Sequence, residues 1–322
     1  MSLTISRFAP SPTGRLHLGH AFSAVRAHDL ARAAGGRFLL RIEDIDPGRT
    51  REEFVSGIAE DLAWLGLTWD GAVLRQSRRL DVYADALERL KARGFVYPCF
   101  CTRAEIAASA AAPHGAVAIY PGTCRDVPVS VERLSREPHC WRLDMAKALT
   151  SFDNMGPALT SVHPELVEGS SFLMMEKNSA LRLPASGSRS GEPSTGSAQT
   201  GLRWWDECEG WVLADPGAHG DVVLARKDAP TSYHLAVTVD DAAQGVTDVV
   251  RGLDLFEATN VHRLLQALLG LPTPLYRHHA LLTGLDGKRL AKRDGAKSLA
   301  ELRAEGVDPV ALVAALRAGK LP

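Results

Sequence analysis

The stretch Thr4-Ile5-Ser6-Arg7-Phe8-Ala9-Pro10-Ser11-Pro12-Thr13-Gly14-Arg15-Leu16-His17-Leu18-Gly19-His20 decides how the rest of the chain is read. Thr4 to Ala9 is a short extended run, and Pro10 and Pro12 end it, because proline lacks a backbone donor and fixes φ. From Gly19 a helical spacing runs through Ala21, Ala24, Val25, His28 and Ala31. It stops at Gly35-Gly36, where glycine accepts a left-handed turn. Arg37-Phe38-Leu39-Leu40-Arg41-Ile42-Glu43 is extended again. Strand, loop, helix, strand is a βαβ unit, so the expected fold is α/β with a Rossmann-like parallel sheet. The proline-stiffened loop feeds a helix whose leading N–H groups face back towards the strand end, an anion site suited to phosphates.

Composition bounds the rest. The 322 residues are 45% hydrophobic and 23% charged, enough for about two domains of a globular enzyme. No apolar run approaches the ~18–20 residues of a membrane helix, and Met1 to Arg7 lacks the basic start and apolar stretch of a signal peptide. A cytoplasmic protein is therefore expected, with no membrane partner. A net charge of −1 excludes gripping nucleic acid by overall basicity, so any RNA contact needs a local basic face. Five cysteines make no disulfide scaffold at this length and favour metal binding.

Further along, residues 50–96 carry helical stripes, Phe54, Ile58, Leu62 and Leu65 first, then Leu80, Tyr83, Leu87 and Leu90. Strand-like runs return at 221–226, 235–239 and 246–251, followed by a helix over 260–269 and a basic Gly-rich loop at 284–297. Two short helices close the chain, one with the capping box Ser298 and Glu301, the other entered through Asp308-Pro309. Residues 154–202, rich in Ser, Gly and Thr, bury too little apolar surface to offset chain entropy, and a flexible insert is expected there.

His17 and His20, three apart, can present imidazoles to one side, and Gly19 lets a flat ring approach the backbone. Gly14 and Gly19 have the spacing of a P-loop, but His20-Ala21 stands where Lys and Ser or Thr are required, and no GxGxxG is present. An isolated H-x-x-H is also compatible with a plain strand-to-helix turn. The longer string is far more specific. It resembles the opening of class I aminoacyl-tRNA synthetases of the glutamyl type, with His17-Leu18-Gly19-His20 as their "HIGH" signature. The resemblance extends through Arg41-Ile42-Glu43-Asp44-Ile45-Asp46-Pro47, Tyr233-His234-Leu235-Ala236-Val237-Thr238-Val239-Asp240-Asp241 and Gly245-Val246-Thr247-Asp248-Val249-Val250-Arg251-Gly252.

What the resemblance implies is specific. It implies a nucleotide site at His17, Gly19 and His20, and a glutamate pocket of Arg7, Ala9, Ser11, Glu43, Tyr233 and Arg251. Guanidinium forks suit carboxylates, and a carboxylate such as Glu43 suits an α-ammonium. Lys288-Arg289-Leu290-Ala291-Lys292-Arg293-Asp294-Gly295 resembles the mobile "KMSKS" loop, Lys292 and Arg289 supplying its cations and Ala291 replacing its serine. Cys99, Cys101, Tyr120 and Cys124 match a zinc-binding pattern, with structural Zn²⁺ as the cofactor and Mg²⁺ accompanying ATP. On the residues alone, the cysteines could equally be small buried hydrophobes. His114 is a substitute ligand, and Cys140 and Cys208 are left to packing.

The implied domains are 1–96 as the first half of the catalytic domain and 97–220 as a zinc-bearing, acceptor-binding-like insertion. Residues 221–283 form the second half, and 284–322 the KMSKS-like loop and terminal helices. Only about thirty residues follow Lys292, too few for an anticodon-binding domain of the usual ~100 residues. That points to the branch of the family without one, which activates L-glutamate with ATP and transfers it to queuosine at the wobble position of tRNA(Asp). A monomer is expected. The rivals are a truncated synthetase charging the 3′ end of tRNA(Glu) and an inactive, RNA-binding relative. For RNA contact, Arg75, Arg78, Arg79, Arg89, Lys91 and Arg93 form either a phosphate strip or a solvated helix face. Trp204, Trp205 and Trp211 either stack on bases or pack in the core.

Overall fold

The computed structural model describes residues 3–102, 104–106, 119–153, 201–282 and 297–321. β1 (Ile5–Phe8), α1 (Leu18–Ala33) and β2 (Arg37–Ile42) form the expected βαβ unit, Ile5 standing opposite Arg37 and Phe8 opposite Leu40 in parallel register. Gly36 is required where the chain re-enters the sheet, since a Cβ there would lie 2.0 Å from the Thr4 carbonyl oxygen. Buried Ala21, Ala24, Val25 and Ala31 of α1 pack in one core with Phe38 and Leu40. α2 (Glu52–Trp64), the two-residue β3 (Leu74–Arg75) and α3 (Leu80–Ala92) take up the striped stretch, with Ile58, Leu62, Tyr83, Leu87 and Leu90 buried.

β4 (Val96–Cys99), α4 (Val131–Arg136), β5 (Cys140–Leu143), α5 (Met145–Asp153), β6 (Arg203–Asp206), β7 (Gly210–Leu213) and β8 (Val223–Ala225) follow. The second half continues with α6 (Tyr233–Ala243), β9 (Asp248–Gly252), α7 (Ala258–Leu269) and β10 (Leu275–His279), and ends in α8 (Leu299–Ala304) and α9 (Pro309–Arg317). Seven strands make the central sheet in the order β3-β2-β1-β9-β10-β6-β7, all parallel except the edge strand β7. From β1 the chain builds outward through β2 and β3 on one side. After the middle of the sequence it builds through β9 and β10 on the other. The sheet therefore reverses direction between β1 and β9, and open α/β sheets hold ligands beyond the strand C-termini at such a point. β4, β5 and β8 form a separate antiparallel sheet with Cys99 opposite Cys140.

Two expectations need correction. The run Leu235–Val239, expected as a strand, lies inside the helix α6, whose Ser232 cap accepts from the Leu235 N–H. Every residue from Leu235 to Asp241 is buried, so the helix has no polar face to reveal its period. Residues 203–213 fall within the span assigned to the insertion, yet β6 is hydrogen-bonded to β10 of the central sheet and Trp204 is fully buried in the main core. Of the expected insert, residues 154–200 lie outside the described residues; Leu202 is buried. The terminal helices carry the expected caps, the Ser298–Glu301 box and Asp308 before Pro309. Among the described residues no helix is long and apolar enough to cross a membrane.

Candidate active-site cleft

A cleft of about 600 Å³ opens beyond the C-terminal ends of β1 and β9. Arg7, Ala9, Ser11, His17, Gly19, His20, Glu43, Tyr233 and Arg251 all line it. Residues separated by more than two hundred positions thus meet because β1 and β9 are neighbours.

At one end stands the α1 N-terminus, capped by two histidines. His17 Nδ1 accepts from the Gly19 N–H at 3.1 Å, and His20 Nδ1 accepts from the His17 N–H at 3.2 Å. The rings lie 3.8 Å apart, centroid to centroid. A nitrogen that accepts carries no proton, so each imidazole holds its hydrogen on Nε2. Nothing acidic occupies the first turn of α1. A side chain at Gly19 would bring its Cβ to 3.0 Å from His17 Cε1, into the capping ring itself. His17, Gly19 and His20, at the positive end of α1, all line the cleft, a setting that suits an anion.

At the other end two arginines differ in their surroundings. Arg7 donates from Nε and Nη2 to the two oxygens of Asp241, at 2.9 and 3.2 Å. Arg41 reaches the same carboxylate at 2.8 Å and Glu43 at 3.6 Å. Burial would raise Asp241, but the guanidinium groups of Arg7 and Arg41 outweigh it and hold the carboxyl below the ordinary value. Glu43 goes the other way. Burial pushes it up to about 7 against the pull of Arg41 and Arg7. Arg251 donates from Nη2 to Thr259 Oγ1 at 2.6 Å, from Nε to His278 Nε2 at 3.1 Å, and from Nη1 to the Tyr233 hydroxyl and His262 Nδ1, both at 3.4 Å. All four partners are uncharged. Burial drives His262 well below its ordinary value and Tyr233 above its own, so neither is ionised near neutrality.

Asp241, Arg41, Thr259, His262 and His278 had been given no role from sequence, nor had Ser23 and His279, which also line the cleft. One signal was present. Asp240-Asp241 interrupts an apolar run, and adjacent acids in a buried segment require cations. Asp240 indeed accepts from Gln76, Arg79 and Tyr83. Most of the basic strip is engaged in this way within the fold: Arg75 with Asp44 and Glu52, Arg89 and Arg93 with helix carbonyls, Lys91 with Glu88. Trp204 packs in the core, while Trp205 and Trp211 meet edge to face on the outer strand pair. Arg289, Ala291 and Lys292 lie outside the described residues. Just beyond them Ser298 bridges to His17 and the Leu299 N–H donates to the Leu16 carbonyl at 2.8 Å, tying the following helix to the cleft rim.

In the small sheet the sulfurs of Cys99, Cys101 and Cys124 all lie within 4.8 Å of one another. The Tyr120 hydroxyl is 3.3 Å from the first and 3.7 Å from the second, and accepts from the Cys124 N–H at 2.9 Å. Three thiols and a phenol converging on one point suit a soft divalent metal, zinc above all. Cys140 faces this group but its thiol points to the Cys99 carbonyl, and Cys208 is exposed elsewhere. His114 lies outside the described residues.

A family model described as class I tRNA synthetases (E and Q), catalytic domain, matches residues 4–153 and 195–319. The chain belongs to this family. A glutamyl-Q tRNA(Asp) synthetase of Rhodobacter capsulatus is 48% identical over 95% of this chain and 96% of its own length. One of Deinococcus radiodurans is 40% identical over 96% of this chain and 86% of its own. Among solved structures, a glutamate tRNA ligase of Elizabethkingia meningosepticum, in complex with its amino acid, superimposes with a TM-score of 0.69 at 24% identity. It covers 98% of this chain, which spans 60% of that ligase's length. The fold, with its mostly parallel central sheet, is thus that of a class I tRNA synthetase catalytic domain.

Proposed function

We propose that this synthetase domain activates glutamate with ATP and transfers it to the cyclopentenediol of queuosine at the wobble position of tRNA(Asp). The observation that carries the reading is Arg251. The residue is 5% exposed, and its guanidinium has only neutral hydrogen-bond partners among the described residues. A buried cation of this kind needs a carboxylate, which a glutamate side chain supplies. Arg7, already paired with Asp241, stands as a second cation on the pocket wall. Ala9 and Ser11 line the same wall, and Glu43 receives the α-ammonium.

In the first step an oxygen of the glutamate α-carboxylate attacks the α-phosphorus of ATP. The new O–P bond forms as the bridging bond to the β-phosphate breaks, and pyrophosphate leaves. Such a transfer asks for alignment and charge stabilisation, which the Nε2–H groups of His17 and His20 and the α1 N-terminus are arranged to give, with Lys292 and Arg289 completing the site. A queuosine hydroxyl then attacks the glutamyl carbonyl and AMP departs. Mg²⁺ would accompany the triphosphate and offset its charge. Cys99, Cys101, Tyr120 and Cys124 would hold Zn²⁺, which would serve the small sheet structurally. A cytoplasmic, monomeric enzyme fits this role.

The names of the relatives in Rhodobacter capsulatus and Deinococcus radiodurans support the acceptor. A glutamate–tRNA ligase of Ruegeria pomeroyi, 37% identical over 97% of this chain but covered over only 60% of its own length, keeps tRNA(Glu) as the control. The test is transfer of labelled glutamate to queuosine-containing tRNA(Asp), queuosine-lacking tRNA(Asp) and tRNA(Glu). Labelling of the first alone is expected; labelling of tRNA(Glu) at its 3′ end overturns the reading.

A further inference from the structure

Arg251 does not hold its place unaided. Its register partner on the adjacent strand is His278; on the strand beyond, Asp206 stands opposite Tyr276, and its side chain reaches along β10 to His278. Asp206 and His278 have side chains only 1% exposed, with His278 Nδ1 2.7 Å from Asp206 Oδ2. The same oxygen accepts the His278 backbone N–H at 3.2 Å, while Oδ1 accepts from the backbones of Cys208 and Glu209 at 2.9 and 3.3 Å. Every donor around Asp206 therefore favours the ionised carboxylate, and that carboxylate fixes the proton of His278 on Nδ1. Nε2 is left as an acceptor, and it takes the Arg251 Nε–H at 3.1 Å. With the opposite tautomer two N–H groups would face each other. The imidazole stays neutral: burial, reinforced by the Arg251 charge, pushes it down to about 4.

We propose that Asp206 and His278 are positioning residues for Arg251, a carboxylate–imidazole pair that orders one proton so that the guanidinium is aimed into the cleft while keeping its charge for the substrate. This rests on the reading of Arg251 as the partner of a glutamate carboxylate. A carboxylate in direct contact would also orient the guanidinium but would offset part of its charge. An interposed neutral imidazole gives direction without a counter-ion.

The rival role is packing, because the His278 ring is stacked with Tyr276 and meets Trp204 and Phe256 edge-on. Two substitutions separate the roles. His278→Phe keeps a ring and removes the acceptor; His278→Gln loses the ring and keeps an oxygen that can accept from Arg251. In ATP–pyrophosphate exchange, His278→Phe should raise the glutamate KM about tenfold or more with the ATP KM within about twofold, and His278→Gln should recover most of that loss. Asp206→Asn, which places an amide donor against either His278 or the backbone N–H groups, should move the glutamate KM in the same direction. It also serves if His278→Phe proves unstable on thermal melting. A His278→Phe enzyme like the parent beside a damaged His278→Gln enzyme would assign the ring to packing and overturn the proposal. Arg251→Lys is run alongside: an unchanged glutamate KM there overturns the reading of Arg251 itself. A raised one with indifferent His278 and Asp206 variants overturns only the positioning role.

Discussion

Asp241 joins two arginines that the chain brings from different strands: it receives Arg7 through a two-point contact and Arg41 at 2.8 Å on one oxygen. Both guanidinium groups are buried, and Arg41 is fully so. The helix α6 thereby pins β1 and β2 at the floor of the cleft by charge as well as by packing.

Removing that carboxylate should leave Arg7 without its buried counter-ion and Arg41 with only Glu43, 3.6 Å away. Asp241→Ala is expected to lower unfolding stability by about 3–5 kcal/mol, the cost typical of breaking a buried pair from one side. Urea denaturation at neutral pH measures it, and a loss below about 1 kcal/mol would contradict the role. The pH dependence has a definite sign. Because Asp241 sits below its ordinary 3.8 when folded, its contribution is present above that value and fades as acid protonates it.

The contrast between Asp241 and the strand-like run before it explains what could be read from the sequence. The βαβ opening was legible because its proline stop, its helical spacing and Gly35-Gly36 all act locally. Arg7, Ala9, Ser11, His17, Gly19, His20, Glu43, Tyr233 and Arg251 meet in one cleft because β1, β2 and β9 end there and α1 and α6 begin there. The helix at 233–243 was illegible because it is buried on every side, and a fully buried helix lacks the amphipathic period that distinguishes it from a strand. The setting of Arg251 was illegible for another reason. His262 and His278 reach it only after α7 and β10 are folded against β9, and nothing in sequence distance records that approach. Strand β6 was assigned to the insertion because pairing partners seventy residues apart leave no local trace.

At the nucleotide end the caps make a narrow prediction. Gly19→Ala puts a methyl 3.0 Å from His17 Cε1 and 3.2 Å from Nδ1, so the ring must shift by a few tenths of an ångström against the N–H it caps. The ATP KM should rise about tenfold, equivalent to about 1.4 kcal/mol, while the glutamate KM stays near the parent value. Parallel rises in both would mean that the whole cleft had collapsed rather than its phosphate end.

The thiol cluster predicts a metal dependence that is separable from catalysis. Purified protein should contain about one zinc per chain by elemental analysis, and Cys124→Ser should lose it, since three protein ligands hold a structural ion far less well than four. Melting temperature should drop with the metal, because Cys99 and Cys140 are paired in the small sheet whose edge the cluster closes. A parent protein that purifies without zinc, and whose melting temperature added zinc does not raise, would make these cysteines mere packing groups.

Glu43 supplies the sharpest pH test. Burial, against the pull of Arg41 and Arg7, lifts it from 4.5 to about 7, so near neutrality the empty pocket holds it part protonated. Between those two values the folded chain binds a proton that the unfolded chain releases, so the Glu43 contribution to stability falls as pH rises through that window. Glu43→Gln should accordingly stabilise the ligand-free protein at pH 8, by about 1–3 kcal/mol if most of the shift is realised. Its effect on substrate use is opposite. An ammonium group needs the ionised carboxylate, so kcat/KM for glutamate should fall about tenfold per pH unit below pH ~7, with the break reporting the free enzyme. In Glu43→Gln that break should vanish and glutamate use should be poor at every pH. Measuring exchange rates from pH 5.5 to 8, with ATP varied in parallel to subtract its own titration, decides the matter; a parent profile flat through pH 7 would remove Glu43 from the ammonium site.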